Sequence, residues 1–300
     1  MAATLPSSTT GFATVSTQPD IRLFYSVTPA LPFDPARPVI VLSNSLAAST
    51  ELWDAFTAAF ALTHTIVRYD ARFHGRSPLS TTPDFDYKAG HSIDDLADDV
   101  IVVLDTLGVS AQHAPAFVGL SVGGGVGVSL AARYPTRFAS FVIVGSRSHA
   151  APGDAARMAE RAAFYESHGA RAQAEQSIVR WFGTEWPTLS PDNEAKAKHV
   201  ADIVEQTPLE GFLASAAALN NMDLREQVVA IGKRQSTEGN KKNVLFVVGS
   251  DDGALVVAES KQLAAVAGSP LEVVAECGHI VNVQQPARFH ELVRAWIARE

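Results

Sequence analysis

The sequence predicts an α/β fold: an open, mostly parallel sheet with helices on both faces and a helical segment inserted late in the chain. Three observations predict it. Apolar runs such as "PVIVLSNS" and "HTIVRYDA" are continuous rather than alternating, as in strands buried on both faces. These runs alternate with helical periodicities, which calls for right-handed crossovers and a parallel sheet. The alternation then stops, and from about Ser148 to Leu224 only helical spacing is found.

The elements follow in order. "FATVST" and "IRLFYSVT" alternate in tandem and predict an antiparallel pair. "PVIVLSNS" is the first buried strand, "ELWDAFTAAFA" a helix and "HTIVRYDA" a second buried strand. "HSIDDLADDVIVVLDTLG" begins with Ser92 as N-cap and Asp95 three residues on, a capping-box pattern. "APAFVG" is a strand, the helix from Ser121 is stopped by Pro135, and "FASFVIVGS" is a strand. Helical spacing covers Ala155 to His168, Arg171 to Phe182, Glu194 to Glu205 and Leu209 to Asn220. The tract "KRQSTEGNKK", Lys233 to Lys242, reads as a solvated loop. Strand "NVLFVVG", helix "ALVVAESKQLAAVAG", strand "LEVVAE" and a helix from Pro286 to Ala298 complete the chain. The division is core 1–147, helical cap 148–225 and core 226–300.

Composition bounds the function. With 300 residues and 47% hydrophobic content, one large domain with a lid can bury a sizeable core. The net charge of −8 gives no footprint for nucleic acid. Cys277 is the only cysteine, so no intrachain disulfide and no cysteine-rich metal site is expected, which fits a reducing, cytoplasmic setting. "MAATLPSSTTGFATV" lacks a basic and then apolar leader pattern, and no apolar run reaches a membrane span, so no membrane partner is expected.

The stretch "FVGLSVGGGVGVSLAARYP" carries the chemistry. A dinucleotide turn fails, because Gly123 and Gly125 lack the third glycine, whose position is Val128. A phosphate loop fails for want of a closing Lys-Ser/Thr pair. Close helix–sheet packing accounts for Gly124, Gly125 and Gly127 but leaves Gly119 and Gly123, which flank Ser121 at ±2. G-x-S-x-G between a strand and a helix accounts for both. A nucleophilic serine must stand on a sharp, strained turn, where the residues two before and two after come into contact and must be small. The helix starting there aims its amides at a developing oxyanion.

A serine hydroxyl needs a base, and the base needs an acid to orient it. "NVLFVVGSDDG" ends a strand with Asp251 and Asp252, and "LEVVAECGHIVN" ends the next with His279. The order Ser…Asp…His suits this topology. Asp252 is the expected acid, with Asp251 in a turn hydrogen bond. His290 falls within the last helix and is expected at the surface. The oxyanion donors are the amides of Val122 and of Leu46, after "VIVLSNS".

Taken together, "VLSNSLAAST", "RYDARFHGRS", "GLSVGG", "SIVRWF", "QTPLEGF", "MDLREQV" and "CGHIVNVQQPARF" resemble the α/β-hydrolase superfamily, and within it the 3-oxoadipate enol-lactonases. The likeness runs from about Arg22 to Ile297. It implies the α/β-hydrolase fold, with eight strands and a helical cap over the site, the same triad positions and no cofactor. Three residues depart from the family's pattern: Ala47 and Phe73 where it has glycine, and Val122 where it has methionine. Ala47 and Phe73 are expected to reshape the pocket mouth. The implied substrate, a small lactone with a free carboxylate, requires a cation. Arg147, at the cap junction, is the first candidate and Arg180 the second. Trp181 and Phe182 are candidates to roof the pocket, and Trp53 to pack the helix after the oxyanion loop. An aspartate nucleophile, as in epoxide hydrolases and dehalogenases, is disfavoured by Ser121. A carboxylesterase, another lactonase and a slow-turnover ligand receptor on the same fold remain alternatives.

Overall fold

The computed structural model describes residues 5–113, 115–237 and 242–299. Its core is one eight-stranded sheet. Strands β1 (Thr9–Thr17) and β2 (Asp20–Thr28) form the antiparallel pair, and β3 (Val39–Ser43) follows. Next come α1 (Asp54–Phe60), β4 (Thr65–Tyr69), α2 (Ile93–Thr106), β5 (Ala116–Leu120), α3 (Val122–Arg133) and β6 (Ser140–Val144). Helices α4 (Asp154–Phe182), α5 (Pro191–Glu205), α6 (Leu209–Asn220) and α7 (Arg225–Thr237) intervene before β7 (Val244–Gly249). Helix α8 (Ala254–Ala267), β8 (Leu271–Val274), α9 (Val281–Gln284) and α10 (Pro286–Ile297) end the chain.

The strand order is β1-β2-β4-β3-β5-β6-β7-β8, with β3 to β8 parallel and β2 antiparallel to β4. Every residue of β3, β4, β5, β6 and β7 is buried, as the continuous apolar runs require. Helices α1, α9 and α10 pack together in one group, and α2, α3, α7 and α8 in another. The capping box forms as read: Ser92 accepts from the Asp95 amide, and the Asp95 carboxylate accepts from the Ser92 amide.

Helix α4 packs on both α5 and α6, on the side of the sheet where the carboxyl ends of the strands lie. Helix α4 contains a break at Gly169 (φ 85°, ψ 173°), between the two helices expected there. Helix α7 departs from the sequence expectation. "KRQSTEGNKK" is not a loop throughout: α7 runs to Thr237, and residues 238–241 lie outside the described residues. The reason is a polar residue on the buried face. Val228, Ile231 and Gln235 sit at helical spacing and are buried. Gln235 donates to the Ala267 carbonyl and Ser269 hydroxyl and accepts from the Asn243 amide, so burial leaves its amide satisfied.

Candidate active site

Ser121 joins β5 to α3 at φ 60° and ψ −111°, a positive-φ conformation that a residue with a β-carbon rarely adopts. Its glycine flanks are sterically demanded. A β-carbon at Gly119 would lie 2.0 Å from the Gly123 carbonyl oxygen, and one at Gly123 would lie 2.6 Å from the Ser43 carbonyl oxygen. Of the next glycines, Gly124 is also demanded, its β-carbon 2.7 Å from that of Ser146. Gly127 is tight at 3.0 Å from the Phe117 ring, whereas Gly125 has ordinary room at 3.5 Å.

The turn after β7 delivers Asp252, and the loop after β8 delivers His279. Both Asp252 carboxylate oxygens lie 2.8 Å from His279 Nδ1. Asp251 is turned away and accepts from the Ser250 hydroxyl at 2.8 Å. Two glycines make room for this pair. At Gly145 (φ 56°) a β-carbon would sit 2.9 Å from Asp252 Oδ2, and at Gly249 it would sit 2.2 Å from the Cys277 carbonyl. The cap braces the histidine from the other side, since the His279 amide donates to the Trp181 carbonyl at 2.8 Å. Gly278 permits that approach, because its β-carbon would be 2.2 Å from the same oxygen.

Leu46 lies in the loop after β3. The Gly123 amide is taken by the Asn44 carbonyl, while the amides of Leu46 and Val122 have no acceptor among the described residues. The loop is held from three directions. Thr207, before α6, donates to the Ala47 carbonyl at 3.0 Å. Asn282 donates to the Leu52 carbonyl at 2.9 Å. The buried Asp70 accepts from the amides of Thr50 and Arg76 at 2.6 and 2.9 Å. The motif pieces "QTPLEGF", "CGHIVNVQQPARF" and "RYDARFHGRS" therefore converge on one loop. Trp53 is fully buried edge-on to Phe56, packing α1 as expected.

Ser121, Asp252 and His279 line one cavity of about 380 Å³, together with Ser45, Leu46 and Ala47. Its far wall is the cap: Asp154, Arg157, Met158 and Arg161 from one face of α4, and Ser177, Arg180 and Trp181 from its last turns. The profile of the alpha/beta hydrolase fold family matches residues 38–286. The chain belongs to this family. It is 32% identical to 3-oxoadipate enol-lactonase 2 of Acinetobacter baylyi over 264 residues, 88% of this chain and 90% of that protein. It is 28% identical to a protein named as carbamate hydrolase RutD of Caulobacter segnis, over 85% of this chain and 89% of that one. The crystal structure of the enol-lactonase from Burkholderia xenovorans LB400 superposes with a TM-score of 0.79 at 26% identity, covering 96% of this chain and 100% of that one. The protein is thus a hydrolytic enzyme of the α/β-hydrolase fold.

Several sequence expectations for this hydrolase shift in the structure. Ala47 lines the pocket, but Phe73 does not. It is buried against Phe85 and Tyr87, at 5.3 and 5.0 Å between ring centroids, beside Ile21 and Ala214. Both departures occupy positive φ, 59° at Ala47 and 65° at Phe73, where glycine carries no steric penalty. Trp181 lines the pocket, whereas Phe182 is buried and stacked on Trp186 at 4.8 Å. His290 is half-buried rather than exposed. It packs edge-on to Phe56 and Phe60 at 5.5 and 5.6 Å, and burial followed by the Arg294 charge lowers its pKa to about 4. The Cys277 thiol is buried and its pKa is pushed up to about 12, by burial first and then by the charges of Asp252 and Asp251, which disfavours the thiolate. Arg147 reaches the pocket but is engaged, donating to Asp154 at 2.7 Å.

Sequence reasoning missed Arg157 and Arg161. The signal was present: Asp154, Arg157, Met158 and Arg161 follow i, i+3, i+4, i+7 and so share one helix face. Polar residues on such a face read as solvent-facing, and only the cap's placement over the sheet sets them on the cavity, with Arg161 half-buried and Arg157 still exposed at its edge. Among the described residues, no group of three or more His, Cys, Asp or Glu is placed to hold a metal. No described helix is long and apolar enough to cross a membrane.

Proposed function

We propose that this hydrolase opens a small lactone carrying a free carboxylate, 3-oxoadipate enol-lactone being the best candidate, by serine acyl transfer. The observation that carries the proposal is the Asp252–His279 pair at 2.8 Å, in one cavity with Ser121 on its strained turn. In this mechanism Ser121 Oγ attacks the lactone carbonyl while His279 Nε2 takes its proton. Asp252 accepts from Nδ1–H, fixing the tautomer and stabilising the imidazolium. The amides of Leu46 and Val122 receive the oxyanion. The ring C–O bond then breaks, and the leaving oxygen takes the proton back from His279. Because the substrate is cyclic, the leaving group stays attached to the acyl-enzyme. Water, deprotonated by His279, attacks the ester carbon and releases the acid and Ser121. No step calls for a cofactor.

We take residues 148–225 as the cap that closes this site. We propose a small-molecule substrate, with neither nucleic acid nor membrane as partner, and the cytoplasm as the compartment. A second reading, hydrolysis of a small carbamate, is favoured by the likeness to the RutD proteins. The deciding experiment measures hydrolysis of 3-oxoadipate enol-lactone beside p-nitrophenyl acetate, for wild type and Ser121→Ala. Loss of fast lactone turnover by about 10⁴-fold or more in the variant is expected. Ser121-dependent ester hydrolysis with a slow lactone reaction would keep the mechanism and move the substrate. Lactone hydrolysis that survives Ser121→Ala would refute the mechanism.

A further inference from the structure

We infer that Arg161 and Arg180, which the cap contributes to the catalytic cavity, together form its carboxylate-binding subsite, with Ser177 aiming Arg180. The inference rests on the carboxylated-lactone reading and names the side chains that make it selective.

Four arginines line the cavity, Arg147, Arg157, Arg161 and Arg180, against two aspartates, Asp154 and Asp252. The chain as a whole carries −8, so this excess of positive charge is local and opposite to the protein's own sign. Asp252 is committed to His279. Asp154 is committed twice over. It accepts from Arg147 and the Ala151 amide at 2.7 and 2.6 Å and from Arg157. Burial works to raise the Asp154 pKa, but these donors outweigh it and hold the carboxyl below its ordinary value. Arg147 and Arg157 are thus tied to one carboxylate as a fixed triad, which itself keeps a net charge of +1 and adds to the positive field of the cavity.

Arg161 and Arg180 are left without a carboxylate among the described residues. Each guanidinium offers five N–H donors. Arg161 has one contact, to Met158 Sδ at 3.9 Å, and Arg180 has one, to Ser177 Oγ at 2.6 Å. Two unpaired guanidiniums facing one cavity disfavour each other. Arg180 is exposed on its outer side, yet desolvation on the cavity side first, and then the Arg161 charge, lowers its pKa to about 10. Burial and the Arg157 charge lower that of Arg161, with the charge of Asp154 opposing them less strongly. A bound carboxylate relieves both effects at once, because it supplies the missing counter-charge and accepts from the planar forks.

The position suits the chemistry. Ser177 is buried and donates to the Gln173 carbonyl at 3.0 Å, so its lone pair is aimed at Arg180. Arg180 precedes Trp181, whose carbonyl holds the His279 amide. The anion subsite and the catalytic histidine are therefore tied to adjacent residues of one helix end. A substrate whose carboxylate sits on Arg161 and Arg180 while its ester reaches Ser121 must be short enough for a cavity of about 380 Å³. A neutral ester of similar size gains nothing from this wall.

The test compares 3-oxoadipate enol-lactone with the methyl ester of the same lactone, which differs only in charge. Wild type is expected to prefer the free acid in kcat/KM by about 100-fold. Arg161→Gln and Arg180→Gln should each remove most of that preference, chiefly through KM for the acid. Arg180→Lys, which keeps the charge but not the fork, should fall between. Ser177→Ala should raise KM for the acid several-fold with kcat little changed, the signature of positioning. Arg171→Gln, on α4 but paired with Asp202, Glu175 and Glu205, should leave the preference intact. Equal losses on both lactones in the Arg161 and Arg180 variants would overturn the subsite while leaving the lactonase reading standing. A parallel arm uses adipate as inhibitor of p-nitrophenyl acetate hydrolysis. If the lactone is not turned over but adipate inhibition weakens at least 10-fold in both variants, the subsite stands and the lactonase reading falls. Adipate inhibition that ignores both arginines would count against the subsite.

Discussion

At the scale of single residues, Asp252 and the two positive-φ departures give the sharpest expectations. Asp252→Asn keeps the shape of the acid but presents an amide to His279 Nδ1 and selects the wrong tautomer. We expect kcat to fall about 10⁴-fold with the melting temperature within a few degrees of wild type. Near-normal turnover would mean that Asp252 is structural. Ala47 and Phe73 share a strained backbone and should respond in opposite ways to glycine. At Ala47 the relief of left-handed strain, about 1–2 kcal/mol, exceeds the entropy lost to a more flexible unfolded chain, about 0.5–1 kcal/mol. Ala47→Gly should therefore gain up to about 1 kcal/mol in urea unfolding. Phe73→Gly deletes a ring that is 2% exposed and packed on Phe85 and Tyr87, and should lose about 3–5 kcal/mol. Stabilisation by Phe73→Gly would show that the strain outweighs the packing.

At the scale of elements, the cap helix α4 turns on one residue. Gly169 sits at φ 85° and ψ 173°, a region open essentially to glycine alone, with no atom within 4 Å of where a β-carbon would lie. Gly169→Ala should cost about 1–3 kcal/mol through the backbone alone, read as a lower urea midpoint. A variant as stable as wild type would mean that the helix can straighten. This break was legible in the sequence, where helical spacing falls into two segments, Ala155 to His168 and Arg171 to Phe182, on either side of the glycine. Helix α7 was not legible, since Gln235 occupies a buried position that a hydrophobic pattern assigns to an apolar residue. Two of its three hydrogen bonds reach Ala267 and Ser269, more than thirty residues on, and the third reaches Asn243 beyond the end of the helix; periodicity carries no information about them.

At the scale of the molecule, buried histidines set the response to acid. Burial lowers His74 to about 4, and burial with the charges of Arg72 and His74 lowers His91 to about 3, both from an ordinary 6.5. A folded pKa below the unfolded one means that the unfolded chain binds protons first. The stability contributed by the neutral rings is complete above about pH 6.5 and is lost progressively as pH falls toward 4 and then 3. Burial raises Asp70 and Asp99, which works in the opposite sense, so the informative comparison is with His91→Leu. The urea midpoint of wild type should drop between pH 6.5 and 4, and that of His91→Leu should drop less. Equal slopes would show that His91 is not buried neutral in solution.

The sequence by itself determined the sheet, the capping box, the strained serine turn and the order of Ser121, Asp252 and His279. These are local matters: continuous apolar runs, glycine spacing and residues placed at strand ends. Tertiary structure decided which charges are free. Arg147 and Arg180 look alike in the sequence, yet Asp154 occupies the first, and the cap turns Arg161 and the second toward the cavity. Arg147 and Asp154 lie only seven residues apart, yet whether they meet depends on where α4 lands relative to the sheet, and that is set by packing rather than by any local pattern.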